Sequence, residues 1–173
     1  MIGGLRLTDV VKHLLIINVL MFFGTLIILG ESNLLGEGRN ILGLAYPESP
    51  FFRPYQLVTH MFMHSDLGHL FFNMFALVIF GPSLEALWKP KKFLTYYLLT
   101  GFGAMLLHMA VQYLELHYMG NGDILRSLSW GASGALYGLL IAYGLNFPNR
   151  QLMLIIPPIP VRAIYLVLIL ISM

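Results

Sequence analysis

Residues Leu67–Trp88 read LGHLFFNMFALVIFGPSLEALW. The stretch is long enough to cross a bilayer as a helix, since about 20 mainly apolar residues suffice. It is also more polar than such a span needs to be, because it carries His69, Asn73 and Glu85. Just before it, Ser65 or Asp66 can cap the helix N-terminus. His69 and Asn73 are four residues apart and share one helix face. Polar groups within a span are costly and are functional candidates by default.

The rest of the chain extends this reading. Hydrophobic residues make up 58% of the 173 and charged residues 10%, with a mean hydropathy of +0.77. One small core cannot bury that much apolar surface, so the composition predicts a membrane protein. Further spans are expected at Val10–Gly30, Phe93–Tyr113 and Leu128–Phe147. The first follows Arg6 and Lys12 and has no small-x-small site after it, so it reads as a retained span rather than a signal peptide. Gln151–Pro160 is apolar but holds Pro157, Pro158 and Pro160. Proline removes a donor and blocks a helix interior, so an interfacial loop is expected there. A fifth apolar run starts at Ala163 and reaches Met173 after only about half a bilayer at ~1.5 Å per residue. Carbonyls left unpaired in lipid cost several kcal/mol each, so the sequence predicts that more chain follows.

Basic residues fix the expected orientation. With the N-terminus inside, the inner loops hold Arg6, Lys12, Lys89, Lys91, Lys92, Arg150 and Arg162. The outer loops hold Arg39, Arg53 and Arg126. Phe51, Phe52, Pro54 and Tyr55 in the first outer loop suit the headgroup layer. The net charge of +2 is small and scattered, which gives no reason to expect nucleic acid. The absence of cysteine excludes disulfides and thiolate chemistry. The expected fold is one all-α domain, 1–173, a polytopic helix bundle.

Three places carry candidate chemistry. In Thr59–Asn73, His69 and Asn73 could donate into a buried site, or could merely link helices and loops. His60 and His64, also four apart, could ligate a metal, but no H-E-x-x-H pattern or third ligand accompanies them. In Gly131-Ala132-Ser133-Gly134, Ser133 is either a nucleophile at a helix N-terminus, where backbone N–H groups favour negative charge, or a hydroxyl bonded back to a carbonyl. Gly134 and Gly138 form a small-xxx-small packing face, and Tyr137 lies one turn beyond Ser133. Glu85 reads as a structural bond to a neighbouring loop. His108 and Glu115 receive the same structural reading, and Gly120, Gly122 and Asp123 read as an exposed loop.

Together these pieces resemble the rhomboid family of intramembrane serine proteases, over about residues 50–147. The resemblance lies in the His-rich segment Thr59–Asn73, in Glu85, and in Gly131-Ala132-Ser133-Gly134 followed by Tyr137. It implies a six-span bundle, of which about five spans are represented here. It also implies Ser133 as nucleophile, with His69, Asn73 and the Ser133 backbone N–H as oxyanion donors, and Tyr137 stacked on a catalytic histidine. The family takes that histidine from its sixth span. No histidine follows His117 in these 173 residues. Tyr55-Gln56 also stands where many members carry Trp-Arg. The implied substrates are transmembrane proteins in a lipid bilayer, with no cofactor or metal. A bacterial cytoplasmic membrane fits the charge bias. Without an adjacent base a serine is a weak nucleophile, so residues 1–173 alone are expected not to cleave. A helix-binding pseudoprotease is the competing expectation. A transporter is disfavoured because no repeats or paired broken helices are evident.

Overall fold

The computed structural model describes residues 7–29, 41–153 and 160–162. Long helices dominate. They are α1 (Asp9–Leu29), α3 (Leu67–Trp88), α4 (Pro90–Met119) and α5 (Ser133–Asn146). A short α2 (Gln56–Thr59) leads into a 3-10 turn, His60–Phe62. A second 3-10 turn covers Gly122–Arg126, and there are two strand pairs among the described residues. β1 (Leu44–Ala45) runs antiparallel to β2 (Leu128–Ser129), and β3 (Gln151–Met153) runs antiparallel to β4 (Pro160–Arg162).

The α1, α3 and α4 helices are each long and apolar enough to cross a bilayer. Apolar residues such as Leu77, Leu84, Phe93 and Leu139 fill the core, yet large apolar side chains also cover the surface and several polar ones lie inside. Asn18, Gln56, His60, Asn73, Glu85 and Gln112 are buried, while Leu20, Ile27, Phe72, Leu99, Leu107 and Leu145 are exposed. Lipid, as apolar as these side chains, makes that arrangement stable. The chain is a polytopic helix bundle.

The predicted second span matches α3 at both ends. Asp66 is the cap: its Oδ1 accepts the His69 backbone N–H at 2.8 Å. The other boundaries moved. The third helix was expected over Phe93–Tyr113 but begins at Pro90, whose missing N–H costs nothing in a first turn, and runs to Gly120, where a left-handed φ of 69° closes it. The fourth was expected from Leu128. It begins five residues later, because Leu128 and Ser129 pair with β1 and Gly131 takes φ +121°. The two ends of the predicted Gln151–Pro160 loop belong to strands, β3 and β4, and residues 154–159 lie outside the described residues. Pro160 lies at the end of a strand, opposite Met153. Pro157, Pro158 and the fifth apolar run from Ala163 lie outside the described residues.

Close packing sets α5 between α3 and α4. A methyl placed on Gly134 would stand 2.5 Å from the Ala104 Cβ, and one on Gly138 2.5 Å from the Thr100 Cβ. The small-xxx-small face is therefore a real contact with α4. Tyr96 seals it by donating its hydroxyl proton to the Gly138 carbonyl at 3.0 Å. On the opposite side Phe80 of α3 meets Tyr143 edge-on at 5.0 Å.

Glu85 fixes α1 against α3. Its Oε1 accepts the Val10 N–H and its Oε2 the Val11 N–H, each at 3.0 Å, and the Thr8 hydroxyl also donates to it. The partner is thus the first turn of α1, where otherwise unpaired donors and the helix dipole favour a carboxylate. Gly81, one turn earlier, leaves room for Val11. Glu85→Ala should therefore destabilise the bundle by ~1–3 kcal/mol, the cost of leaving buried donors unpaired. Glu85→Gln, which keeps one acceptor oxygen, should lose less. Thermal unfolding in detergent micelles would check this order.

Candidate active site

A cavity of about 450 Å³ opens where the segment before α3, the middle of α4 and the start of α5 meet. Ser133, His69, Gly131, Gly134 and Tyr137 line it, as do His60, Ser65, His108 and Ser129. Asn73 does not. It lies one turn along α3 from His69, buried, and its Nδ2 has no partner among the described residues.

Ser133 is the first residue of α5. Several hydroxyl and amide side chains inside the other helices bond back to their own carbonyls, as Thr100 does to Tyr96 at 2.9 Å and Asn18 to Leu14 at 2.7 Å. Ser133 has no helical turn before it to offer such a carbonyl. Among the described residues nothing hydrogen-bonds its hydroxyl, so the back-bonded alternative is not what the structure adopts.

Gly131 brings Ser133 and His69 together. Its N–H donates to the His60 carbonyl at 2.9 Å, which ties the α5 entrance to the segment before α3. A Cβ at this position would stand 2.9 Å from His69 Cε1, 3.0 Å from His69 Nε2 and 3.5 Å from Ser133 Oγ. The imidazole and the serine hydroxyl thus border one small volume, which stays open only because residue 131 lacks a side chain.

The histidines have distinct surroundings. His60 Nδ1 lies 2.8 Å from the Gln56 carbonyl and must donate to it, since a carbonyl only accepts. Burial pushes the His60 pKa down. His64 is 3% exposed, and neither ring nitrogen has a partner among the described residues. Its ring meets that of His69 edge-on, with centroids 5.1 Å apart. Burial, and secondarily the nearby His69, push its pKa down to about 4. His69 Nδ1 lies 2.9 Å from Ser65 Oγ and accepts the Ser65 backbone N–H at 3.4 Å.

Sequence reasoning missed the place of His108 in the cavity. The structural reading of His108 holds in its bond to Ser129, whose Oγ lies 2.6 Å from Nε2, but the residue also lines the same cavity as Ser133. The bond joins α4 to β2. The signal available was the spacing of His108 and Gln112 on one face of an apolar helix, with Gln112 also reaching Ser127 at 3.5 Å. Tyr137 borders the cavity and is 52% exposed. Asp123 is exposed, within a 3-10 turn over Gly122–Arg126.

Residues 52–173 match the family model described as Rhomboid domain. This chain belongs to the rhomboid family. It is 30% identical over 166 residues to Rhomboid protease AarA of Providencia stuartii, covering 86% of this chain and 56% of that protein. It is 36% identical over 86 residues to RHOMBOID-like protein 6, mitochondrial, of Arabidopsis thaliana, covering 50% of this chain and 24% of the other. With Rhomboid protein 1, mitochondrial, of Saccharomyces cerevisiae the identity is 30% over 105 residues, covering 60% and 28%. The chain spans about half the length of the first of these relatives, and the matches to the other two cover about a quarter of each. Within the rhomboid match fall Glu85, the His60–Asn73 segment and the Gly131–Tyr137 segment.

Two outcomes follow from the geometry. Gly131→Ala should destabilise the rhomboid bundle by ~1–3 kcal/mol, because a Cβ would strain the backbone at φ +121° and press on His69. Denaturant unfolding in micelles would measure it. The buried His64 gives a pH dependence. It is neutral in the native state, while the unfolded chain takes up its proton below 6.5. The unfolded state then binds more protons, so stability should fall as pH drops from 6.5 toward about 4. His64→Gln should flatten that part of the curve.

Proposed function

We propose that this rhomboid supplies the nucleophile and the oxyanion side of an intramembrane serine endopeptidase. It would hydrolyse peptide bonds in or beside the transmembrane segments of membrane proteins. The observation that carries the reading is the Ser133 hydroxyl. It stands at a helix N-terminus without a protein partner among the described residues and faces the same space as His69 across a side-chain-free Gly131.

In this reading Ser133 Oγ attacks the scissile carbonyl carbon while its proton passes to a base. The carbonyl oxygen becomes an oxyanion, met by the Ser133 backbone N–H and by His69; Asn73, whose Nδ2 is unpartnered among the described residues behind the cavity wall, would join them only by turning toward the cavity. The base then protonates the leaving amine, and water releases the acyl group by the same steps in reverse order. Gly131 and Gly134 serve by their smallness, one beside His69 and one against Ala104. Tyr137 offers a ring at the cavity edge for the base to pack on. Glu85 acts only through the fold. The whole of residues 1–173 forms one domain in this account. Serine chemistry of this kind needs no metal or cofactor, so activity should survive a chelator. The partners are transmembrane proteins within a lipid bilayer, and a bacterial cytoplasmic membrane suits the excess of Lys and Arg in the inner loops.

The base is the part that residues 1–173 do not offer in the expected form, since no histidine follows His117. General-base help is worth ~10²–10⁴ in rate. A polypeptide of residues 1–173 alone should therefore show no cleavage above a Ser133→Ala blank, and would act as a helix-binding pseudoprotease. The same residues in a protein that presents a histidine to Ser133 should cleave. There, Ser133→Ala should abolish release of product from a labelled transmembrane substrate. His69→Ala should lower kcat by ~10²–10³, the usual loss for one oxyanion donor. Cleavage that survives Ser133→Ala would sink the proposal.

A further inference from the structure

One residue, Lys89, makes the corner between α3 and α4, and its backbone is strained. It takes φ 72° and ψ 156°, a conformation essentially confined to glycine. Among the described residues it is the one non-glycine with a positive φ. Pro90 follows, and the residue before a proline ordinarily keeps a negative φ. Both helices hold the corner: the Lys89 N–H donates to the Glu85 carbonyl at 2.9 Å, and the Lys89 carbonyl accepts the Phe93 N–H at 3.1 Å. A glycine would keep both hydrogen bonds and shed the strain. The turn itself therefore gives no reason for a lysine.

Nor does the protein answer the charge. Lys89, Lys91 and Lys92 are all exposed. The ion pairs among the described residues join Lys12 to Asp9 and His117 to Glu48, so no carboxylate there partners any of the three. Glu85 is the nearest acid in sequence, but it is buried and bonded to the first turn of α1. Lys92 lies over the Trp88 indole, with Nζ 5.6 Å from the ring centroid, and Trp88 meets Tyr96 at 4.8 Å. Cations beside indole and phenol rings, at the ends of two spans, suit the headgroup layer of a bilayer. Basic residues orient a membrane protein wherever in a short loop they stand, so orientation alone does not call for one at φ 72°.

We propose that Lys89, Lys91 and Lys92 form a docking site for an anionic phospholipid, with the headgroup phosphate shared among the ammonium groups and the glycerol end of the lipid against Trp88. The one-residue corner fixes three cations within four residues on a rigid part of the fold. A basic side chain at an anionic membrane surface adds about fivefold to affinity. Bound lipid offsets the strain at Lys89, and without it the strain stands uncompensated. None of these residues lines the Ser133 cavity, so the inference stands apart from the proposed proteolysis.

Quenching by brominated lipid tests this. The chain has two tryptophans, so Trp130→Phe leaves Trp88 as the reporter. The 173-residue chain with that change is placed in vesicles of phosphatidylcholine and phosphatidylglycerol, with bromine on the acyl chains of one lipid or the other. At equal mole fractions, brominated phosphatidylglycerol should quench Trp88 more strongly than brominated phosphatidylcholine. Lys89→Gln should lower the relative affinity for phosphatidylglycerol by about fivefold, and Gln at all three lysines should leave the two lipids equivalent. Lys89→Gly separates binding from folding: in neutral detergent it should unfold at a higher temperature than the original chain, yet show the weaker preference. Equal quenching by the two lipids, a preference that survives the lysine replacements, or a Lys89→Gly chain that unfolds at a lower temperature would overturn the proposal. So would a preference removed by inorganic phosphate but not by chloride at the same ionic strength, since the ligand would then be soluble phosphate.

Discussion

The hydrogen bond from the Gly131 N–H to the His60 carbonyl, 2.9 Å long, is the constraint on which the site depends. It joins the segment before α3 to the turn before α5, two parts of the chain some 70 residues apart. With the backbone held there at φ +121°, the helix cannot begin before Ser133. That delay frees the serine hydroxyl from back-bonding. The missing Cβ then lets the His69 imidazole approach the same spot. Move the helix start by one turn toward the N-terminus, and Ser133 would bond to its own helix like Thr100.

A second consequence concerns depth. The α5 helix has 14 residues, or about 21 Å at the usual rise per residue, well short of a ~30 Å hydrocarbon core. Before it in the chain come β2 and the Gly131 turn, which are not helical. Irregular backbone is tolerated within a membrane only where protein or water covers it. Here Leu44 pairs with Ser129, and both residues also line the cavity. The structure therefore joins a strand pair, a short helix and a polar cavity as parts of one arrangement, at a level where a fully helical span would leave no room for any of them.

Legibility in the sequence followed locality. The α3 helix was readable at both ends, because its cap at Asp66 and its apolar run up to Trp88 are neighbours in sequence. The grouping of His69 and Ser133 in one cavity was legible through the family likeness rather than through spacing, since the two residues sit on different helices. The start of α5 was misread for a physical reason. Leu128-Ser129-Trp130 is as apolar as a span should be, and what removes it from the helix is pairing with Leu44 and Ala45, far away in the chain. The outer end of α4 was cut short because polarity rises after Tyr113. Contacts made elsewhere accompany that extension, among them His117 with Glu48 at 3.4 Å. His108 escaped notice for the same reason, since its partner Ser129 lies on β2, outside its own helix.

The central claim is that Ser133 opens on water from within a lipid-embedded bundle. The chain has no cysteine, so a single introduced thiol can be read cleanly. Ser133→Cys should react with a small, charged, membrane-impermeant thiol reagent added to protein in lipid vesicles. Ala142→Cys, two turns deeper on α5 and 4% exposed, should not. If the thiol at 133 proves as inert as the one at 142, the cavity does not reach water and Ser133 cannot be the nucleophile of a hydrolase.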